Sequence, residues 1–330
     1  MVENKGSWDP KMPVLLFVLA ILTTGTIVAK DVRFVRKPNQ IDVLVGDELF
    51  TGYMYGPDLM KPILYPIRTP GKVTVNRNYP LGEVDGESQD HPHHVGLFFT
   101  YEINQYDNFW GKTAPPPQIR HVEILDIDDE TGLLSTRLHW IGVSGKVILE
   151  EKRIMRFHGD SKKNIVDLSI TLTAKDTTVV FQATKEGMFA LRVADWLREN
   201  WLREKGGSGR YLAGGGSDSA DAIWGTRQKW VRLQGGWDNK EAGVAILNHP
   251  ESLNYPTFWH VRNYGLFSAN PLGQSAFEKA KGVIDVEAFQ LTLKPDQSAL
   301  FKFRVIVYDG TLSKSALDRH HEEYSKVPPD

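Results

Sequence analysis

The sequence predicts an all-β protein, folded as one large antiparallel β-sandwich with few short helices. Short apolar or alternating segments recur along most of the chain, and turn sequences such as Asp129–Gly132 and Lys294–Asp296 separate them. Strands do not alternate with helices, which argues against a doubly wound parallel sheet. The 330 residues are 41% hydrophobic, so the chain is able to bury a large core.

The predicted strands share β-type patterning between turn residues, and the segment from Ile165 to Leu172 alternates almost strictly. They are Val32–Val35, Ile41–Val45, Gly96–Ile103, Val122–Ile127, Leu133–Trp140, Lys146–Phe157, Ile165–Leu172, Lys229–Leu233, Gly243–Leu247, Val286–Leu293 and Leu300–Tyr308. Two segments are predicted to be helical, Asp195–Arg203 and Thr311–Ser325, the second with Ser313 as its N-cap. A Gly-rich loop is predicted from residue 205 to residue 217.

Residues 1–29 are predicted to be a signal peptide rather than part of the fold. Two lysines precede a nine-residue apolar run, Val14–Leu22, and small residues follow it. Cleavage is expected to leave a mature chain that begins between Thr26 and Lys30. The alternative is an uncleaved N-terminal anchor, which would be the chain's one contact with a membrane. Both interpretations place residues 30–330, a single domain without repeat or linker, outside the cytoplasm, in the periplasm or the medium.

Charge and cysteine content exclude several classes of function. The chain has 39 Lys and Arg against 41 Asp and Glu, so it has no basic surplus for binding nucleic acid. It has no cysteine, which excludes disulfides, thiolate zinc sites and thiol nucleophiles.

Three histidines, His91, His93 and His94, lie between a loop rich in Gly and Asp and an apolar strand. In an extended chain, His91 and His93 share one face and His94 points to the other. Imidazoles at such a position suit proton transfer near neutral pH, and they are the candidate ligands if a divalent metal is bound. The alternative is a structural cluster that ties down the neighbouring loop.

Further candidates follow along the chain. Glu186 precedes an apolar strand, where a carboxylate suits a general acid or base, or else pairs with Lys185 or Arg192. A strand through residues 259–264 would place His260, Arg262 and Tyr264 on one face, which is able to bind hydroxyls or a carboxylate, or is simply solvated. Trp110 and Trp259 are candidates to stack on a sugar ring, although most tryptophans belong to cores.

Four blocks of sequence resemble the PmoA-like family of secreted bacterial proteins, often labelled methane oxygenase. The blocks are Asp90–Leu97, Ala183–Arg192, Gly243–Pro250 and Pro256–Gly273. The resemblance implies a galactose-mutarotase-like supersandwich. Arg192 and Asn270, which lie within these blocks, are further candidate substrate-binding residues. The chain departs from the family pattern at Val95 and Tyr101, where Arg and His are usual.

These observations together predict a secreted, carbohydrate-active protein, and they favour an enzyme. We expect general acid/base chemistry on a glycan or a sugar derivative, by a hydrolase, lyase or epimerase without an organic cofactor. The proton-transfer candidates are His91, His93, His94, Glu186 and His260, and we expect them to meet on one concave surface. One alternative is a non-catalytic sugar-binding or structural module. Another is a methane oxygenase-related protein, as the family label states.

Overall fold

Two eight-stranded antiparallel sheets make up most of the computed structural model, which describes residues 1–3, 6, 29–111, 116–199, 209–286 and 289–328. The strands, in chain order, are β1 Val32–Lys37, β2 Gln40–Val45, β3 Glu48–Met54, β4 Ile63–Leu64, β5 Leu97–Thr100, β6 Glu102–Ile103, β7 Asp107–Asn108, β8 Gln118–Asp128, β9 Leu133–Ile141, β10 Val147–Gly159, β11 Lys163–Ala174, β12 Val179–Val180, β13 Met188–Arg192, β14 Arg210–Ala213, β15 Trp230–Trp237, β16 Lys240–Asn248, β17 Phe258–Val261, β18 Leu266–Asn270, β19 Thr292–Leu293 and β20 Ser298–Asp309. The predicted antiparallel β-sandwich is confirmed.

The first sheet has the strand order β1-β2-β3-β4-β5-β13-β18-β17, and the second has β14-β15-β16-β20-β11-β10-β9-β8. β6 pairs with β7, and β12 pairs with β19, in two small sheets. The main core lies between the large sheets, where Phe189 of β13 stacks on Phe303 of β20 with ring centroids 4.5 Å apart. On β11, the alternating side chains from Val166 to Leu172 enter this core, as their spacing predicts.

The described helices are short: a 3₁₀ turn at Asp195–Leu197, α1 Ala220–Ile223, α2 Gln274–Ala280 and α3 Lys314–Tyr324. α3 confirms the C-terminal prediction, because the Ser313 hydroxyl accepts a hydrogen bond from the Ala316 amide as an N-cap does. It covers Ile165, the one residue that breaks the alternation on β11.

Other local predictions are corrected. Of the predicted helix Asp195–Arg203, only the 3₁₀ turn forms among the described residues, and positions 200–203 lie outside them. The predicted Gly-rich loop contains strand β14 in its described part. Of Val286–Leu293, the described residues form only β19. α1 and α2 were not predicted, because four and seven residues are too few to show a helical period.

The predicted signal segment lies largely outside the described residues. Within the described part of the chain, no helix has the length and apolar character needed to cross a membrane.

Candidate functional site

A pocket of about 350 Å³ opens on the outer face of the first sheet, which is the face turned away from the main core. One cross-strand row there runs from Phe98 through Ala190 and Ser268 to His260. Small side chains at the two central positions leave space above the strands. The residues that line the pocket are His91, His94, Trp110, Lys185, Glu186, His260, Arg262, Asn263 and Tyr264.

A buried arginine, Arg77, holds in place the loop of residues 88–94, which carries His91, His93 and His94 and is called the histidine loop below. The Arg77 guanidinium donates hydrogen bonds to the backbone carbonyls of Ser88, Asp90, His91 and His94, at 2.6–3.3 Å. The loop closes as a tight turn, since the His94 amide donates to the His91 carbonyl at 3.0 Å and His91 has a φ of 44°. The prediction that an extended chain places His91 and His93 on one face is therefore wrong.

This turn instead brings His91 and His94 to the same pocket. Their rings are nearly parallel, with centroids 5.0 Å apart. His93 lines a separate cavity with Lys61 and Pro92, although its ring packs against those of His94 and His91, with centroids 4.3 and 5.8 Å apart. His93 therefore contacts the two pocket histidines without lining the pocket itself.

Asp90 orients the imidazole of His91. One carboxylate oxygen, Oδ2, lies 2.6 Å from His91 Nδ1, and the other accepts hydrogen bonds from Arg77 and Arg192. Burial opposes ionisation of Asp90, but Arg192, His91 and Arg77 hold the pKa of its carboxyl below the usual value. An ionised carboxylate only accepts hydrogen bonds, so Nδ1 carries the proton and the neutral ring has its lone pair on Nε2.

His94 and Trp110 form the floor of the pocket, and both are almost fully buried. Their ring centroids lie 5.2 Å apart in an edge-to-face arrangement. Burial lowers the pKa of His94 far below its usual range, so the ring is neutral. Neither nitrogen of His94 nor the indole nitrogen of Trp110 has a hydrogen-bond partner among the described residues. Trp110 has no exposed face on which a sugar could stack, so its stacking role is corrected to a place on the floor.

His260 projects from β17 towards the pocket, while its neighbours Trp259 and Val261 face the main core. Burial lowers the pKa of His260 to about 4; Glu186 and a hydrogen bond with the Lys185 backbone oppose this, and Arg262 adds to it. His260 is therefore neutral at pH 7. Its Nδ1 atom has no hydrogen-bond partner among the described residues.

Glu186 lines the pocket from the segment that leads into β13. Its carboxylate is half-buried and lies 3.7 Å from the ammonium group of Lys185, so the predicted pairing with Lys185 coexists with a place in the pocket. The next residue, Gly187, packs so closely on the Tyr101 ring that a Cβ there would lie 2.2 Å from a ring carbon. The Tyr101 hydroxyl also donates to the carbonyls of Gln182 and Thr184, which fixes this segment.

The hairpin turn between β17 and β18 supplies the remaining lining residues. The strand ends at Val261, so Arg262 and Tyr264 are turn residues rather than members of one strand face, yet both still line the pocket with His260. The Tyr264 ring stacks on His91 at 5.2 Å and 4°. Burial raises the pKa of Tyr264, so its phenol remains protonated at neutral pH.

Three predicted substrate-binding residues lie behind the pocket instead of lining it. Trp259 is fully buried in the main core, and its indole nitrogen donates to the Gln228 carbonyl. Asn270 is also fully buried, and its amide group bonds to the backbone at Thr184, Lys185 and Leu272. Arg192 is buried under Tyr264 and bonded to Asp90. All three shape the pocket walls, and none contacts its space.

Among the described residues, no group of three or more His, Asp or Glu side chains is arranged to hold a metal ion. The stacking of His91 on His94 explains this for the histidine loop, because face-to-face rings do not direct their nitrogens at one point. The pocket itself therefore fits no metal-ligand set.

Sequence reasoning did not single out Arg77, Asp90, Lys185 or Asn263 as functional. For Asp90, its position directly before the histidines is a usable signal, because carboxylates commonly orient imidazoles. Arg77 carries no local signal, since its contacts with the loop arise only in the folded chain.

Comparison with known proteins adds the following. Residues 40–322 match a family described as a family of unknown function, DUF6807. No match was found among curated proteins. Similar solved structures include an α-galactosidase from Geobacillus stearothermophilus, at 12% identity and a TM-score of 0.41, covering 84% of this chain and 40% of that chain. Another is a galactose mutarotase related enzyme from Lactobacillus acidophilus, at 10% identity and a TM-score of 0.32. That match covers 85% of this chain and 97% of the enzyme.

This chain thus spans less than half the length of the α-galactosidase. At these TM-scores, the likeness carries no argument about activity. The matched family is DUF6807, so the resemblance to the PmoA-like family stays a prediction.

Proposed function

We propose that this chain, which belongs to the DUF6807 family of unknown function, binds one sugar ring in the pocket and transfers protons to and from it. We also propose that the protein acts outside the cytoplasm, as its N-terminal sequence predicts. A pocket of about 350 Å³ is at the lower end of the range for small-molecule sites, which fits a single ring or a short glycan end.

The pairing of Asp90 with His91 is the observation that carries the proposal. Asp90, held by two arginines, keeps the proton of His91 on Nδ1 and leaves Nε2 as a base. The parallel ring of Tyr264 limits rotation of the imidazole. An imidazole fixed in one tautomer and one orientation is what a general base requires.

Glu186 is the complementary proton donor or acceptor in the same pocket, and His260 offers a neutral ring. Glycoside hydrolysis in most families uses two carboxylates that flank the bond to be cleaved. The lining described here combines one carboxylate with an oriented imidazole, which suits removal and return of a proton. We therefore favour epimerisation or elimination over hydrolysis.

The oxygenase function suggested by the PmoA-like resemblance is not part of the proposal. The pocket is built from imidazoles packed on aromatic rings, which is an arrangement for hydrogen bonding to a ligand.

The proposal is tested by proton NMR of candidate sugars incubated with the purified protein in deuterated water. Turnover appears as deuterium at a ring carbon, as a new epimer or as an unsaturated product. We expect His91→Gln and Glu186→Gln each to lower the rate by roughly 100-fold or more.

His158→Gln is the matched control, because His158 is also half-exposed and lies 3.5 Å from an arginine-bound aspartate, Asp167, on the second sheet. It should leave the rate unchanged. Sugar binding without turnover would support the non-catalytic module instead. Turnover that survives His91→Gln would remove His91 from the mechanism.

A further inference from the structure

One guanidinium at the pocket, that of Arg262, has no anionic partner among the described residues. Arg262 lies over the Trp224 ring, with its guanidinium carbon 5.0 Å from the ring centroid. Among the described residues, no carboxylate lies within ion-pair distance of it, whereas the two buried arginines behind the pocket both pair with Asp90. A half-buried, unpaired guanidinium beside a pocket is a ready site for an anionic group.

The floor of the pocket supplies further donors. The indole N–H of Trp110 and the imidazole of His94 are more than nine-tenths buried, and their nitrogens make no hydrogen bond to any described residue. Buried polar groups nearly always have a partner, and a ligand or a water molecule in the pocket would supply one. An indole nitrogen only donates, and therefore the group that it meets must be an acceptor.

The charged side chains that line the pocket also favour a ligand with an anionic acceptor group. Lys185 and Arg262 are cationic and His94 and His260 are neutral, so the lining carries at least one positive charge in excess whether or not Glu186 is ionised. Since Glu186 is next to Lys185, at 3.7 Å, the excess charge belongs to Arg262.

We propose that the ligand is an acidic sugar whose carboxylate is bound by Arg262, with Trp110 and His94 at the pocket floor completing its hydrogen bonds. This inference rests on the function proposed above and specifies its substrate class as a uronic acid, free or at the end of a glycan. A carboxylate matches the planar fork of an arginine.

The proposed ligand also fits the proton chemistry. Neutralising the carboxylate acidifies the hydrogen on the ring carbon that bears it, and His91 Nε2 removes that hydrogen as a proton. If Glu186 is protonated in the complex and delivers that proton to the opposite face, the product is the epimer at that carbon, and His91 then returns its proton to Glu186 through water. If instead the electron pair of the broken C–H bond forms a double bond to the next ring carbon, the C–O bond there breaks, and the leaving oxygen takes the proton that His91 has removed.

Binding is measured by isothermal titration calorimetry with galacturonate and glucuronate, with galactose and glucose, and with the uronate methyl esters. On the wild-type protein, we expect a uronate to bind roughly tenfold or more tightly than its methyl ester or the neutral sugar. Arg262→Gln should lower the affinity for the uronate by a similar factor and leave that for the neutral sugar unchanged. Arg137→Gln, which removes an exposed arginine paired with Glu123, is the matched control.

Equal affinity for the uronate, its ester and the neutral sugar would overturn the inference, and the comparison of ligands on wild-type protein gives this answer even if Arg262→Gln fails to fold. Neutral sugars that bind and turn over would overturn the inference and leave the proposed function standing. A uronate that binds through Arg262 without deuterium exchange would support the inference and remove the proposed catalysis. Tighter binding of sulfated or phosphorylated sugars would assign the site to another anion.

Discussion

Replacing Lys61 by methionine is expected to stabilise this protein at neutral pH. The lysine is buried behind the histidine loop, where its ammonium group lies 4.7 Å from the Phe98 ring centroid and donates to the His93 carbonyl at 3.1 Å. No carboxylate pairs with it among the described residues. Burial alone lowers the pKa of Lys61 from 10.5 to about 7.

The magnitude follows from the two pKa values. Each pKa unit corresponds to about 1.4 kcal/mol, so holding a charged Lys61 in the fold costs about 5 kcal/mol. This cost applies in full below pH 7, where both the folded and the unfolded chain carry the proton. Between pH 7 and 10.5, the unfolded chain binds more protons, and stability therefore rises with pH. Methionine removes the charge and loses a hydrogen bond worth about 1 kcal/mol.

Urea unfolding at pH 7, 8 and 9 measures the effect. Lys61→Met should raise the free energy of unfolding by about 4 kcal/mol well below pH 7 and by slightly less at pH 7, where the folded lysine is already half deprotonated. Above pH 7 this gain should shrink by about 1.4 kcal/mol per pH unit. Lys302→Met is the control, because Lys302 is equally buried but pairs with Glu251 at 2.9 Å. It should destabilise the protein with no such pH dependence. A Lys61→Met protein that is destabilised like the control, or whose gain is independent of pH, would refute the reasoning.

Three further substitutions test the residues that hold the pocket side chains in position. Asp90→Asn should lower turnover by roughly 100-fold while the fold is kept, because the amide no longer fixes the His91 tautomer; steady-state kinetics with circular dichroism checks this. Gly187→Ala should destabilise by about 3 kcal/mol in urea, since its Cβ would overlap a ring, whereas Gly56→Ala, with 3.7 Å of clearance, should be near neutral. Arg77→Met should cost about 3 kcal/mol and speed proteolysis of the loop around residues 83–94, and unchanged proteolysis would show that its hydrogen bonds are dispensable.

The strands were predictable where one face of a strand meets the core and the other does not. Two-residue alternation identified β11, and it placed His260 on the face opposite Trp259, as the structure has them. The same alternation failed beyond Val261, because the chain turns there and Arg262 and Tyr264 reach the pocket from a hairpin turn.

The same polar residue types occur in ligand-binding sites and in the buried structure behind those sites. The spacing of such residues in the sequence therefore does not show which of the two roles each residue has. Arg192 and Asn270 have side chains fit for binding a sugar, but their described side-chain hydrogen bonds and ring contacts go to Ser88, Asp90, Tyr264 and the backbone. The prediction for the histidine loop was wrong because the loop forms a tight turn instead of an extended strand. The turn determines which imidazoles face the same pocket.

The hairpin turn between β17 and β18 gathers residues that face the ligand into one short segment. It carries Arg262, Asn263 and Tyr264 on consecutive positions, whereas His91 and Glu186 reach the pocket from two other loops. A hairpin turn is able to change sequence without altering the pairing of the strands that flank it. Relatives of this chain that keep Tyr264 against His91 are therefore able to change the neighbouring turn positions and acquire a different ligand while the proton-transfer groups stay in place. The turn is also the natural segment to transplant in an effort to redirect the protein to another sugar.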